Sequence, residues 1–251
     1  MSRALKYTKP LVFLHGFPLD KRMWRQQIEK LSPHVRALAI NLGRFGTKTP
    51  PGETKTSIKA MADEVACFLD EGNITDPVAL CGLSMGGYVA LRFAHDYPSR
   101  LDKLILANTR SLPDNEAARA KRNDLRKRLA EGERQQVLKE LMKPMLVSGS
   151  PAAKEMQHIA DEQSTEIIRS ALEALRDRED ATPWLSEIKV PTLVISGAKD
   201  TVIPSSEGAE MAKKIPSGQF AELPDAAHLS NVDRPEAFNK LILDFLTTRG
   251  G

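Results

Sequence analysis

Short apolar runs of β character alternate along this chain with longer segments of helical periodicity, and few folds accommodate that rhythm. The runs Leu11–Leu14, Val35–Ile40, Val78–Cys81, Leu104–Ala107, Thr192–Ser196 and Gln219–Leu223 mostly lack a polar face. That predicts strands buried on both sides, as in a mostly parallel central sheet covered by helices on both faces. Arg3–Thr8 carries a weaker strand pattern. The intervening spacing predicts helices over Lys21–Leu31, Ser57–Glu71, Met85–Tyr97, Glu207–Ile215 and Pro235–Leu246.

Between Ser111 and about Ser186 the alternation stops. Apolar residues such as Leu125 and Leu129, or Val137, Leu138, Leu141, Met142 and Met145, recur there at helical spacing, punctuated by prolines. An all-helical block inside an alternating chain reads as an inserted cap. The expected organisation is an α/β core of residues 1–110 and 187–251 with a helical cap at 111–186. The cap carries a basic stretch, Arg119, Lys121, Arg122, Arg126, Lys127 and Arg128, interrupted by acids and expected to be a solvated helix face.

Composition narrows the function classes. The 36 Lys and Arg against 33 acids leave a formal charge of only +3, which argues against a nucleic-acid partner. Two cysteines, Cys67 and Cys81, support neither a disulfide scaffold nor a thiolate metal cluster. Apolar runs are too short to cross a membrane, and the first ten residues lack the apolar core of a signal peptide. A cytoplasmic protein is therefore expected.

The chemistry concentrates at Gly82-Leu83-Ser84-Met85-Gly86, between a predicted strand and a predicted helix. Gly-x-Ser-x-Gly arises by chance in about one chain in twenty of this composition, so its placement carries the weight. A sharp strand-to-helix turn projects the Ser84 hydroxyl beyond the strand ends, and Gly82 and Gly86 remove side chains that would clash there. The Met85 N–H then lies at a helix N-terminus, placed to stabilise developing negative charge. A serine needs a base. Of five histidines, His228 alone follows the last predicted strand, on the same sheet edge as Ser84; His34, His95 and His158 read as bystanders. Asp200, just beyond the strand ending at Ser196, is the carboxylate to orient His228. The loop after the first strong strand, His15-Gly16-Phe17-Pro18, offers the Phe17 N–H as a second oxyanion donor, with His15 buttressing the loop. Trp24 and Tyr88 are candidates to line the pocket.

These stretches, with Gly197–Pro204 and the segment from His228 to Phe238, resemble the α/β-hydrolases of the carboxylesterase, 3-oxoadipate enol-lactonase and cofactor-free haloperoxidase group. The resemblance covers nearly the whole chain. It implies a serine hydrolase that cleaves a small-molecule ester or lactone through an acyl-enzyme, with no metal or organic cofactor. A short-acyl carboxylesterase is the first expectation, and an enol-lactonase or perhydrolase with the same triad is the alternative. A slow-turnover ligand-binding scaffold is the alternative of another class. One departure stands out: Asn41-Leu42-Gly43-Arg44-Phe45-Gly46 replaces the group's usual Asp-Leu-Arg-Gly-Phe-Gly.

Overall fold

The computed structural model describes residues 7–47 and 56–248. Its core elements run β1 (Leu11–Leu14), α1 (Arg25–Leu31), β2 (Ala37–Ile40), α2 (Ile58–Glu71), β3 (Val78–Leu83), α3 (Met85–Asp96) and β4 (Leu101–Ala107). Four helices follow without a strand: α4 (Glu116–Ala130), α5 (Arg134–Met142), α6 (Ala153–Asp161) and α7 (Thr165–Arg176). The chain then returns through β5 (Thr192–Gly197), α8 (Ser205–Lys214), β6 (Gly218–Leu223), the single turn α9 (Ser230–Asp233) and α10 (Pro235–Thr247).

The strands form one sheet in the order β2-β1-β3-β4-β5-β6, and every pairing is parallel. From β1 the chain moves to β2 on one side and returns to β3 on the other. The carboxyl ends of β1 and β3 therefore flank a switch point, where open α/β sheets bind ligands. Right-handed crossovers put α1 on one face and α2 and α3 on the other. In agreement, α1 packs on α10 and α2 packs on α3. The central strands β1 and β3 are buried along their whole length, as continuous apolar runs require.

Several boundaries differ from those the sequence suggests. The first four residues of the weak strand Arg3–Thr8 lie outside the described residues, and Tyr7 and Thr8 are not in a strand. β4 starts at Leu101, so Asp102 and Lys103 belong to it despite their charge. Both find partners: Asp102 accepts bonds from Tyr7 and Lys9, and the Lys103 ammonium caps α10 through the carbonyls of Phe245, Leu246 and Thr248. Trp24 is not a pocket residue. It is fully buried between Phe13 and Phe238, at ring-centroid distances of 4.7 and 6.0 Å, because the 3₁₀ turn Lys21–Trp24 aims it at the sheet.

The basic stretch on α4 is solvated only in part, at Arg119, Lys121 and Lys127. The other three turn inward: Arg122 pairs with Asp114, Arg126 with Glu173 on α7 and Arg128 with Glu140 on α5. Their side chains are only 20–25% exposed, so the charges fasten helices together. Among the described residues, no helix is long and apolar enough to cross a membrane.

Candidate active site

Ser84 occupies the turn between β3 and α3 with φ +53° and ψ −114°, a conformation that side chains rarely adopt. Its neighbours hold it there. The Ser84 N–H donates to the Ala107 carbonyl at 2.9 Å, and the Ser84 carbonyl accepts from Gly87 N–H and the Thr109 hydroxyl, both at 2.9 Å. The flanking glycines are required by backbone contact. A Cβ on Gly82 would lie 2.2 Å from the Gly86 carbonyl oxygen, and one on Gly86 would lie 2.2 Å from that of Leu14. Backbone cannot yield as a flexible side chain does. Gly86→Ala is therefore expected to cost about 3 kcal/mol or more, lowering Tm by roughly 6–12 °C in a chain of this size. A melting curve within about 2 °C of wild type would show that α3 can shift away from β1 at little cost.

Ser84 and His228 line one cavity of about 420 Å³ at the carboxyl edge of the sheet. Phe17, Tyr88, Leu125, Leu141, Met145 and Val202 contribute to its walls, and so do charged side chains that include Arg110, Asp114 and Lys121. Among the described contacts no hydrogen bond joins the Ser84 hydroxyl to His228. In ligand-free enzymes such bonds are commonly long and tighten only around substrate. A second cavity of about 460 Å³ shares Tyr88 and Arg110 as walls.

The His228 ring is 1% exposed, and its Nδ1 donates to Asp200 Oδ2 at 2.8 Å, since a carboxylate only accepts. Asp200 Oδ1 accepts from the N–H groups of Val202 and Ile203 at 2.8 and 3.0 Å, and Oδ2 also accepts from the Asn108 amide at 2.9 Å. Burial pushes the Asp200 carboxyl up. The bonds from His228, Asn108 and the Ile203 N–H outweigh that push and hold it below the usual carboxylate range. Asp225 and Asp233 take other partners. Asp225 pairs with Lys199, and Asp233 accepts from the N–H groups of Ala227 and Val147.

The segment around His228 is also tied to the helical block. Leu229 N–H donates to the Met145 carbonyl at 2.7 Å, so a cavity wall and the histidine loop share a bond. Met85 N–H opens α3 with no helical partner. Neither it nor the Phe17 N–H donates to another group among the described residues.

His15 underpins the Phe17 loop. Fully buried, it donates from Nδ1 to the Gly16 carbonyl at 3.1 Å and accepts at Nε2 from Leu42 N–H at 2.9 Å. It thereby joins the loop after β1 to the Asn41 segment, where Asn41 accepts from Lys21 N–H at 3.0 Å. In that segment Arg44 sits at φ +69°, where glycine rests more comfortably. Burial pushes His15 down from its ordinary 6.5 to about 4. A group depressed on folding contributes stability that is complete above the unfolded value and lost as pH falls through the folded one. Between pH 6.5 and 4 this group alone should remove about 3 kcal/mol. Melting curves across that range should fall steeply for wild type and less steeply for His15→Asn. Parallel curves would exclude His15 as the acid-sensitive group.

The other histidines stand apart from the cavity. His95 stacks on Trp184 at 4.5 Å, and His158 is an exposed residue of α6 facing Glu162. Asn108 donates to Asp200 and Ser230 donates to Asn108, and the sequence singles out neither as part of the site. The partners that give Asn108 its place lie about a hundred residues away along the chain.

Residues 9–235 match the alpha/beta hydrolase fold family, and the chain belongs to that family. It is 29% identical over 235 residues to 3-oxoadipate enol-lactonase 2 of Acinetobacter baylyi, a match spanning 92% of this chain and 86% of that protein. Among solved structures, a thermophilic esterase from Thermogutta terrifontis superposes with a TM-score of 0.90 at 32% identity, covering 95% of this chain and 89% of the esterase. The enol-lactonase from Burkholderia xenovorans LB400 superposes with a TM-score of 0.87 at 27% identity, over 96% and 92% of the two chains.

Proposed function

We propose that this hydrolase cleaves small carboxylic esters through an acyl-enzyme. The observation that carries the reading is Ser84, held on a strained turn, opening onto the same cavity as a buried histidine already bonded to a carboxylate. Ser84 Oγ attacks the ester carbonyl while His228 Nε2 takes its proton, and Asp200 fixes the tautomer and stabilises the imidazolium. The Phe17 and Met85 N–H groups bind the oxyanion. His228 then protonates the leaving alkoxide. In the second half, water loses a proton to His228 and attacks the acyl carbon, and His228 returns that proton to Ser84 Oγ as the acid leaves. No step needs a metal or an organic cofactor.

Helices α4–α7 act in this reading as the cap over residues 1–110 and 187–251, with Tyr88 from the core completing the substrate wall. A lactone substrate is the second reading, favoured by the similarity to enol-lactonases. The chemistry is the same, with the leaving alkoxide tethered to the acyl group. A panel of p-nitrophenyl esters of graded acyl length, run beside an enol-lactone, separates the two. A single burst with negligible turnover would instead indicate a binding scaffold.

Short acyl groups should be preferred. The cavity mixes apolar walls with charged side chains, among them Arg110, Asp114, Lys121, Arg122 and Glu140. Each methylene beyond the first few then lies against ion pairs, where the usual gain of about 0.8 kcal/mol per buried methylene is lost. kcat/KM is expected to peak well below an acyl length of ten carbons. A peak at ten or longer would reveal an apolar tunnel within the helical block.

A further inference from the structure

We propose that Asn108 and Ser230 are positioning residues of the site, an amide–hydroxyl bracket that holds the carboxylate of Asp200 and the loop bearing His228 in one fixed relation. The inference rests on the hydrolase reading above and deepens it.

Asn108 follows the last residue of β4 and is 1% exposed. Its φ of +45° is left-handed, a state that costs energy for any residue with a Cβ and least for asparagine and aspartate. Its own N–H still donates to the Ile195 carbonyl at 2.8 Å, so the strain serves to aim the side chain rather than to end the strand pairing.

The amide spans three elements. Its Nδ2 donates to Asp200 Oδ2 at 2.9 Å and to the Ala227 carbonyl at 3.1 Å, and its Oδ1 accepts from the Ser230 hydroxyl at 2.5 Å. The orientation is forced, because a carboxylate and a carbonyl can only accept. Turning the amide over would set Oδ1 against both. Ser230, fully buried on α9, must therefore donate, and its single proton is committed to Oδ1. Ala227 directly precedes His228, so one planar group fixes the acid and the base together.

This bracket also completes the acid. With His228, Asn108, Val202 and Ile203 all donating, the Asp200 carboxylate accepts four hydrogen bonds and cannot rotate without losing at least one. Asparagine is therefore more than a filler here. An apolar residue would leave Asp200 short of a donor and Ser230 without its acceptor. An aspartate would set a second carboxylate against Asp200, and two carboxylates at that distance share a proton near neutral pH. Charged groups near this arrangement include Asp233, bonded to the Ala227 N–H, Lys199, which precedes Asp200 and pairs with Asp225, and Arg110, two residues beyond Asn108 in the cavity wall.

The test compares Asn108→Ala, Asn108→Asp and Ser230→Ala with wild type, using p-nitrophenyl butyrate between pH 5 and 9. The rate of Ser84 labelling by a fluorophosphonate serves as a second readout of the same proton transfer. Asn108→Ala should lower kcat by about 10- to 100-fold with KM within about threefold, since positioning acts on the transition state. Ser230→Ala should follow in the same direction by about 3- to 10-fold, and it supplies the answer if Asn108→Ala does not fold. In Asn108→Asp, the added carboxylate loses the shared proton as pH rises. Two negative charges then favour the imidazolium, and the acid limb of the rate profile should move alkaline by about one pH unit or more. A merely structural amide would leave kcat and the labelling rate of folded Asn108→Ala unchanged. Wild-type kcat in Ser230→Ala and in folded Asn108→Ala, or an Asn108→Asp profile superimposed on wild type, overturns the bracket. Wild-type protein that neither hydrolyses the ester nor takes the label overturns the hydrolase reading itself.

Discussion

Ser84→Ala is expected to abolish ester hydrolysis while leaving the protein folded. The Ser84 side chain makes no hydrogen bond to another described group, and the turn is held through its backbone by Ala107, Gly87 and Thr109. Alanine keeps the Cβ and tolerates the same strained φ no worse than serine does. What disappears is the hydroxyl proposed as the nucleophile. Binding and oxyanion stabilisation alone would remain, so kcat should fall by at least about 10³-fold. The check is kcat in a preparation free of host esterases, beside a melting curve that should match wild type. Retention of a tenth of the activity would end the assignment.

Asp200→Asn should cost up to about 10⁴ in kcat near neutral pH, and the hydrogen bonds show why the exchange is not conservative. The native carboxylate accepts at both oxygens from groups that can only be donors there: two backbone N–H groups on one side, and Asn108 Nδ2 and His228 Nδ1 on the other. If the new amide turns its oxygen to the backbone, its NH2 faces the NH2 of Asn108. His228 must then accept at Nδ1 and carry its proton on Nε2, the tautomer that cannot take a proton from serine. The imidazolium also loses its counter-charge, so the acid limb of the pH–rate profile should move to lower pH. A kcat within about threefold of wild type would reduce Asp200 to a turn residue and leave the histidine oriented by another group.

The parts of this protein legible in its sequence are those governed by local pattern. β1, β3 and β5 announce themselves because a strand buried on both faces has no polar side, and the Ser84 turn because two glycines bracket it. What escapes is set by partners distant along the chain. Asp102 and Lys103 look like loop residues until Tyr7, Lys9 and the end of α10 satisfy them. Trp24 is a plausible pocket aromatic until Phe13 and Phe238 enclose it. Arg122, Arg126 and Arg128 of α4 look solvated until Asp114, Glu173 and Glu140 arrive from other segments. Asn108 is the sharpest case, since an amide has no meaning as a triad neighbour until an acid, a carbonyl and a hydroxyl converge on it.

The bond from Leu229 N–H to the Met145 carbonyl ties the wall of the cavity to the loop bearing His228. A substrate too bulky for the cavity cannot push Met145 aside without pulling on the residue next to His228. On the proposed mechanism, size is then sensed at the step of proton transfer as well as at docking. Homologous esters that outgrow the cavity should lose turnover number along with affinity, a penalty that raising their concentration will not recover.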